Sequence, residues 1–147
     1  FRIKKGIMPV KNHDYMKKMD KSKTIPKLNI HYLDKMKDLC DELGITFILI
    51  SSKSIKNWND AKHQSVSNYA NQKEIAFYDL NLISEIEIDW QTDTVDKGDH
   101  LNYKGAKKVS KYVGDLLKET YDLPDHREDK NYSSWERDLE KYKALVG

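Results

Sequence analysis

Cysteine, glycine and proline are scarce in this sequence, and long apolar runs are missing. The 147 residues include one cysteine, six glycines and three prolines. The single cysteine, Cys40, excludes an internal disulfide and the Cys/His spacing of a structural zinc site. No stretch approaches the ~20 apolar residues of a membrane-spanning helix, and no signal peptide is visible. Because the sequence starts at Phe1 rather than at methionine, we expect it to derive from a longer or processed protein.

What is present suits one globular domain with a modest core: 38% of the residues are apolar and 34% are charged. The net charge of +2 conceals a basic segment, residues 1–28, in which nine Lys/Arg face two Asp and give +7. Such a segment can attract an anionic partner, or it can be a solvated loop. Aromatic interleaving and a recognition motif are both missing, so we predict no nucleic-acid partner and favour the solvated loop.

Apolar periodicity predicts an alternation of helices and strands. A helix capped by Asn29 and ended by Gly44 carries an apolar stripe of Ile30, Leu33, Met36, Cys40 and Leu43. "ITFILI" (45–50) has the unbroken β-branched pattern of a parallel strand that is covered on both faces. A helix at about 58–72 and a strand at 75–80, "IAFYDL", follow.

The carboxyl-terminal part begins with a long loop, 81–103, and long loops in compact domains are often functional. Helix 104–118 has the clearest period in the chain, and a last helix is predicted from a capping box, Ser133 to Glu136. The resulting order is α-β-α-β-loop-α-α, an α/β fold with parallel strands. Two strands make a poor sheet, so we expect this to be the last part of a larger doubly wound domain.

Three polar segments are expected to converge beyond the carboxyl ends of the strands, where open α/β sheets bind ligands. They are Ser51–Ser54, Asp79–Asn81 and the loop Asp96–His100. A histidine backed by a carboxylate has the parts of a general base, because the carboxylate fixes the tautomer and stabilises the imidazolium.

The stretch "DKGDHLNYKGAKKVSKYVGDLL" (96–117) resembles the last conserved block of the SGNH (GDSL-type) hydrolases. In that block an Asp and a His precede an apolar residue, an Asn or Pro, a Gly and the last helix. The resemblance implies a flavodoxin-like α/β/α sandwich, of which residues 29–120 would be the carboxyl-terminal half, followed by a tail at 121–147. It also implies a Ser-His-Asp triad for ester hydrolysis or acyl transfer, with His100 as the base.

The sequence departs from the family's pattern at two places. The acid usually lies three residues before the His, where this chain has Lys97, so Asp96 is our first choice for the orienting acid and Asp99 the second. Gly98 can absorb the additional residue in a turn. The nucleophilic Ser and the oxyanion motifs are missing, so we expect them before Phe1 and expect the isolated chain to be inactive.

The predicted function is therefore the carboxyl-terminal part of an SGNH-type esterase or acyltransferase, with an acyl ester, on a carbohydrate or cell-wall polymer, as substrate. No cofactor and no metal are predicted, and by analogy the intact protein is expected outside the cytoplasm or anchored to a membrane. The missing part of the sheet would come from the upstream half or from another chain. The alternative is a non-enzymatic α/β module that binds an anionic partner through residues 1–28.

Competing interpretations exist for several polar and aromatic side chains. His100 could merely order the start of the following helix, and Ser51 or Ser52 could be a nucleophile of this chain. Asn102 is predicted to cap the helix. The remaining histidines are predicted to be surface residues: His13, His31, His63 and His126. Five aromatic residues could stack on a sugar, but are more simply expected to seat a loop or tail on the core: Trp90, Tyr121, Tyr132, Trp135 and Tyr142.

Overall fold

The computed structural model describes residues 5–146 and has a mixed α/β architecture. A two-stranded parallel sheet alternates with helices, which confirms the predicted order of elements. In chain order the elements are α1 (Lys27–Glu42), β1 (Ile48–Ser51), α2 (Asp60–Gln72), β2 (Ala76–Asp79), α3 (Tyr103–Thr120) and α4 (Ser133–Val146). None of the described helices is long and apolar enough to cross a membrane.

The chain divides into two compact units. The sheet unit comprises residues 10–87 and holds α1, β1, α2 and β2. The loop unit combines residues 88–147 with residues 1–9 and holds α3 and α4. The Asp96–His100 loop therefore belongs to a different unit from the two strands.

The core of the sheet unit lies between the helices and the sheet. Strands β1 and β2 run parallel, with Ile48 opposite Ala76 and Ser51 opposite Asp79. The buried centre consists of Tyr69, Ala70 and Ile75, and partly buried apolar residues pack around it: Ile25, Ile30, Leu33, Phe47, Leu49 and Phe77. The helix-strand-helix-strand order thus places the carboxyl ends of both strands, Ser51 and Asp79, side by side.

Both strands are shorter than the sequence predicts, and β1 is not covered on all sides. The prediction that "ITFILI" is buried throughout was wrong for Ile45 and Ile50, which are 53% and 39% exposed. Ile45 lies before the paired strand, and Ile50 lies in a sheet of only two strands, in which β1 has no described neighbouring strand besides β2. Met36 and Leu43, predicted on the buried stripe of α1, are also exposed, because α1 packs on the core through Ile30 and Leu33.

The helix ends differ in detail from the predicted caps. Helix α1 begins two residues before Asn29, at Lys27, so Asn29 lies inside the helix and does not cap it. Gly44 has φ +66° just after the helix end, as its predicted role as terminator requires. Ser133 has helical φ and ψ and therefore is no N-cap; a 3₁₀ turn capped by the Asp129 side chain leads directly into α4.

Candidate functional site

The segment that carries Asp96, Asp99 and His100 is a tight turn closed by a short antiparallel bridge between Thr94 and Leu101. The fully buried Thr94 holds both sides: its hydroxyl donates to the carbonyl of His100 (3.0 Å) and accepts from the Gly98 N–H (2.7 Å). Lys97 and Gly98 have φ of +58° and +84°, a left-handed pair that lets the chain reverse between the two acids. The predicted turn at Gly98 is therefore present.

The backbone of Met8, in the amino-terminal segment, is hydrogen-bonded to this turn. The Met8 N–H donates to the Thr94 carbonyl (2.9 Å), and the Lys97 N–H donates to the Met8 carbonyl (3.1 Å). Two backbone hydrogen bonds thus tie residue 8 to both sides of the turn. Part of the segment that the sequence suggested was a solvated loop is in fact ordered against the candidate site.

The start of α3 fixes the other end of the turn through Asn102. As predicted, Asn102 caps the helix: its Oδ1 accepts from the N–H groups of Lys104 (3.0 Å) and Gly105 (3.3 Å). Its Nδ2 donates to the carbonyls of Thr92 (2.7 Å) and Gly6 (3.1 Å), so the buried amide is fully bonded. His100 is therefore two residues from a rigid, buried anchor.

Asp96 is hydrogen-bonded to both the ring and the backbone of His100. One carboxylate oxygen accepts from the His100 N–H (2.6 Å), and the other lies 2.6 Å from His100 Nδ1. Because an ionised carboxylate only accepts, Nδ1 carries the proton and donates, which leaves Nε2 as the basic nitrogen. Asp99 lies farther away, with its Oδ2 3.8 Å from Nδ1.

The His100 side chain is 60% exposed, whereas Asp96 and Asp99 are more covered. No described residue forms a hydrogen bond with Nε2. The arrangement can therefore accept a proton at Nε2 while Asp96 holds the ring, or it can simply order the turn. Ligand atoms of Asp96, Asp99 and His100 lie within 4.8 Å of one another, which a cation could also bridge.

An ion pair between the buried Asp93 and the partly exposed Lys108 supports the same loop. Asp93, 2% exposed, accepts from Lys108 Nζ (2.7 Å), from the Asp89 N–H (3.0 Å) and from the Thr92 hydroxyl (3.2 Å). Burial on its own raises the pKa of Asp93, but the Lys108 ammonium and these hydrogen bonds outweigh it and lower the pKa below its ordinary value. Sequence analysis did not identify this pair, because Lys108 lies fifteen residues from Asp93 along the chain.

A second histidine–carboxylate pair occupies the end of β2 in the sheet unit. The buried Asp79 accepts from His63 Nδ1 (2.8 Å) and Trp58 Nε1 (2.8 Å) at one oxygen, and from the backbone and side-chain amides of Asn81 at the other. His63, predicted to be a surface residue, is partly buried, and its side chain is 25% exposed. The sequence does hint at this partial burial, because His63 lies on the same helix, α2, as the buried Tyr69 and Ala70.

Asn81 then joins the ends of the two strands, as predicted for these two segments. Its side chain donates to the Ser51 hydroxyl (3.1 Å) and the Ser52 carbonyl (3.0 Å) and accepts from the Ser54 N–H (3.0 Å). Tyr15 donates to the same amide oxygen (3.1 Å), and burial, followed by the nearby Asp79 charge, raises the pKa of Tyr15 to about 12. Ser51 is buried in this network, so its hydroxyl serves a structural bond.

The aromatic residues divide between core and surface. Trp90 is buried, and the Tyr142 ring meets the Tyr103 ring edge-on, with the ring centroids 6.0 Å apart. Trp135 is 74% exposed and lines an apolar cavity of about 440 Å³ in the carboxyl-terminal tail, beside stacked His126 and Tyr132. The prediction that these aromatic residues seat a loop or tail on the core is therefore confirmed for Trp90 and wrong for Trp135.

No protein-family model, no curated protein and no solved structure matches this chain. Its resemblance to the SGNH hydrolases therefore rests on the residues of the 96–117 block.

Proposed function

We propose that this chain is the carboxyl-terminal part of an SGNH-type serine esterase or acyltransferase. In this proposal His100 is the general base and Asp96 orients it. The observation that carries the proposal is the 2.6 Å hydrogen bond between His100 Nδ1 and Asp96, on a ring whose Nε2 side is exposed. A flavodoxin-like sandwich, completed by residues before Phe1 or by another chain, is part of the proposal and not of the described architecture.

The proposed chemistry needs one proton relay. A serine hydroxyl, supplied by residues before Phe1, loses its proton to His100 Nε2 as its oxygen attacks the ester carbonyl. Asp96 stabilises the imidazolium that forms, and the same proton then passes to the departing alcohol. A second cycle moves the acyl group to water or to another hydroxyl. No cofactor takes part in these steps.

The local geometry supports Asp96 over Asp99 as the orienting acid. Asp96 bonds both the backbone and the ring of His100, so it fixes the tautomer and the ring direction together. Asp99 Oδ2, at 3.8 Å, is beyond hydrogen-bond distance of Nδ1. Its charge can still favour the imidazolium, so it contributes less.

The substrate is proposed to be an acyl ester on a carbohydrate or cell-wall polymer. The exposed Trp135 offers a flat apolar face of the kind on which sugar rings stack. This supports a carbohydrate without identifying it, and the intact protein is proposed to act outside the cytoplasm or at a membrane.

The test requires a longer protein that includes the residues before Phe1. His100→Ala should lower turnover of p-nitrophenyl acetate by a factor on the order of 10³ or more, because the serine loses its base. Asp96→Asn should cost less than His100→Ala and clearly more than Asp99→Asn. Circular dichroism should show an unchanged fold, and His13→Ala, at an exposed histidine, is the matched control.

Three results would count against this proposal. Full activity of the His100→Ala variant would remove the base from the mechanism. Loss of activity on treatment with a chelator, restored by a divalent cation, would make Asp96, Asp99 and His100 a metal site instead. Labelling of Ser51 or Ser52 by a serine-reactive phosphonate in the 147-residue chain would replace the upstream nucleophile.

The alternative, a non-enzymatic module that binds an anionic partner through residues 1–28, predicts a different outcome. The longer protein would then have no esterase activity, and it would bind a polyanion with an affinity that falls steeply with salt. All lysines in the described part of that segment are exposed. This is compatible with such binding, but it is equally expected of a solvated surface.

A further inference from the structure

Helix α1 has a second apolar stripe, on the side away from the core. Its five members are between 51% and 64% exposed: Leu28, Tyr32, Met36, Leu39 and Leu43. Spacings of four, four, three and four residues place them on one face over the whole length of the helix. An apolar stripe of this length on a surface helix indicates an interaction site.

The stripe reads nearly the same in both chain directions. Reversal about the midpoint between Lys35 and Met36 places Leu28 on Leu43 and Tyr32 on Leu39, so a second copy of the helix, running antiparallel, presents a matching surface. An interface in which one patch meets the same patch is the isologous contact of twofold dimers, the commonest oligomers. Met36 would lie close to the twofold axis.

The exposed charges beside the stripe have the same reversed symmetry. His31 and Lys35 lie along one border of the stripe in its first half, and Asp38 and Glu42 continue that border in its second half. In an antiparallel pair this border faces its own copy, so Lys35 meets Asp38 and His31 meets Glu42, each twice. In a parallel twofold pair this border would face the opposite border of the stripe instead of its own copy, so these ion pairs would not form.

Three other charged side chains of α1, those of Asp34, Lys37 and Asp41, are already paired within the chain. Lys37 bonds Asp41 one turn ahead (2.7 Å), and Asp34 bonds Lys73 (2.8 Å) and the Tyr69 hydroxyl (2.9 Å). Besides Lys27, at the first position of the helix, the charged groups of α1 left for an intermolecular contact are those that border the stripe.

We propose that the exposed face of α1 pairs with the same face of a second copy of this chain, in an antiparallel, twofold-symmetric dimer. A helix of 16 residues is about 24 Å long, so the pair buries less than the ~800 Å² per partner of a standard interface. The dimer is accordingly weak, with a Kd on the order of tens of micromolar.

Sedimentation velocity of the 147-residue chain tests the dimer directly. From about 5 to about 200 μM, a range that brackets this Kd, the chain should shift from monomer to dimer. Leu39→Asp should raise the Kd at least about tenfold, because each dimer loses two buried leucines. Leu123→Asp is the matched control, since Leu39 and Leu123 are 55% and 57% exposed, and it should leave the Kd unchanged.

Charge reversal tests the antiparallel orientation. Lys35→Glu should weaken the dimer several-fold, because it opposes two acids at each of two equivalent contacts. Adding Asp38→Lys to Lys35→Glu restores both pairs with exchanged signs, so the double variant should recover the original Kd. A parallel arrangement cannot produce this rescue.

Cross-linking locates the axis. In a Cys40→Ser background, Met36→Cys should form an intermolecular disulfide at least about tenfold faster than Leu28→Cys, because two copies of residue 28 would be about 24 Å apart. Equal rates at both positions would overturn the proposal. So would a chain that stays monomeric at the highest concentration, which would assign this face to a segment outside these residues or to another protein.

Discussion

Two glycines in α3 should respond in opposite directions to the same substitution. A Cβ on Gly105 would lie 2.6 Å from the Asp93 carbonyl oxygen and 3.1 Å from the Cβ atoms of Asp93 and Leu101. A Cβ on Gly114 would meet nothing within 4 Å. Gly105→Ala and Gly114→Ala therefore share one helix and one chemical change and differ only in the space available.

The magnitudes follow from two competing effects. Alanine is better than glycine inside a helix by up to about 1 kcal/mol, so Gly114→Ala should stabilise the protein by about 0.5–1 kcal/mol. At Gly105 the same gain is opposed by overpacking against backbone, which costs roughly 1–3 kcal/mol. Since the colliding carbonyl belongs to the segment that leads into the Asp96–His100 turn and cannot rotate away like a side chain, we expect net destabilisation of about 1–2 kcal/mol.

Urea unfolding followed by circular dichroism measures both variants against the parent chain. The midpoint should fall for Gly105→Ala and rise for Gly114→Ala, with unchanged slopes. Gly105→Ala should also disturb the neighbouring turn, which the chemical shift of His100 in an NMR spectrum would report. A Gly105→Ala variant as stable as Gly114→Ala would refute the close approach of α3 to Asp93.

Two further predictions concern the buried carboxylates. Asp93→Asn should cost about 2 kcal/mol at pH 7 through the lost Lys108 pair. The pKa of Asp93 is lower in the folded state than in the unfolded chain, where it is about 3.9. The stabilisation by the ionised Asp93 is therefore complete above that unfolded pKa and is lost as the pH falls through the folded pKa. As the pH is lowered from 5 into the acid range, the Asp93→Asn variant should accordingly lose less free energy of unfolding than the parent chain. Asp79→Asn should cost about 2 kcal/mol or more, because the Trp58 and His63 donors would face an amide, and tryptophan fluorescence during unfolding would show it. If the Asp79→Asn variant and the parent chain unfolded at the same urea concentration, the stabilising role of the hydrogen bonds to Asp79 would be contradicted.

Local sequence patterns were sufficient for the order of the elements and for several of their ends. The period of α3, the cap at Asn102 and the terminator at Gly44 depend on residues within one or two turns of each other, so they can be read from neighbours along the chain. The Asp96–His100 pair is equally local, four residues apart across a turn that Gly98 permits. The catalytic role of this pair stays a prediction.

Long-range contacts decided what the sequence could not. His63 is hydrogen-bonded to Asp79 sixteen residues away, and Lys108 to Asp93 fifteen residues away, so neither pairing leaves a periodic mark. The same limit explains the exposed residues of "ITFILI" and α1: an apolar pattern states that a surface is to be covered, but only the tertiary structure shows whether a described residue covers it. Sequence by itself therefore determined which segments are helical, extended or turning, because those preferences arise within a few residues. Burial and partner choice were decided by the fold, because they depend on residues that only folding brings together.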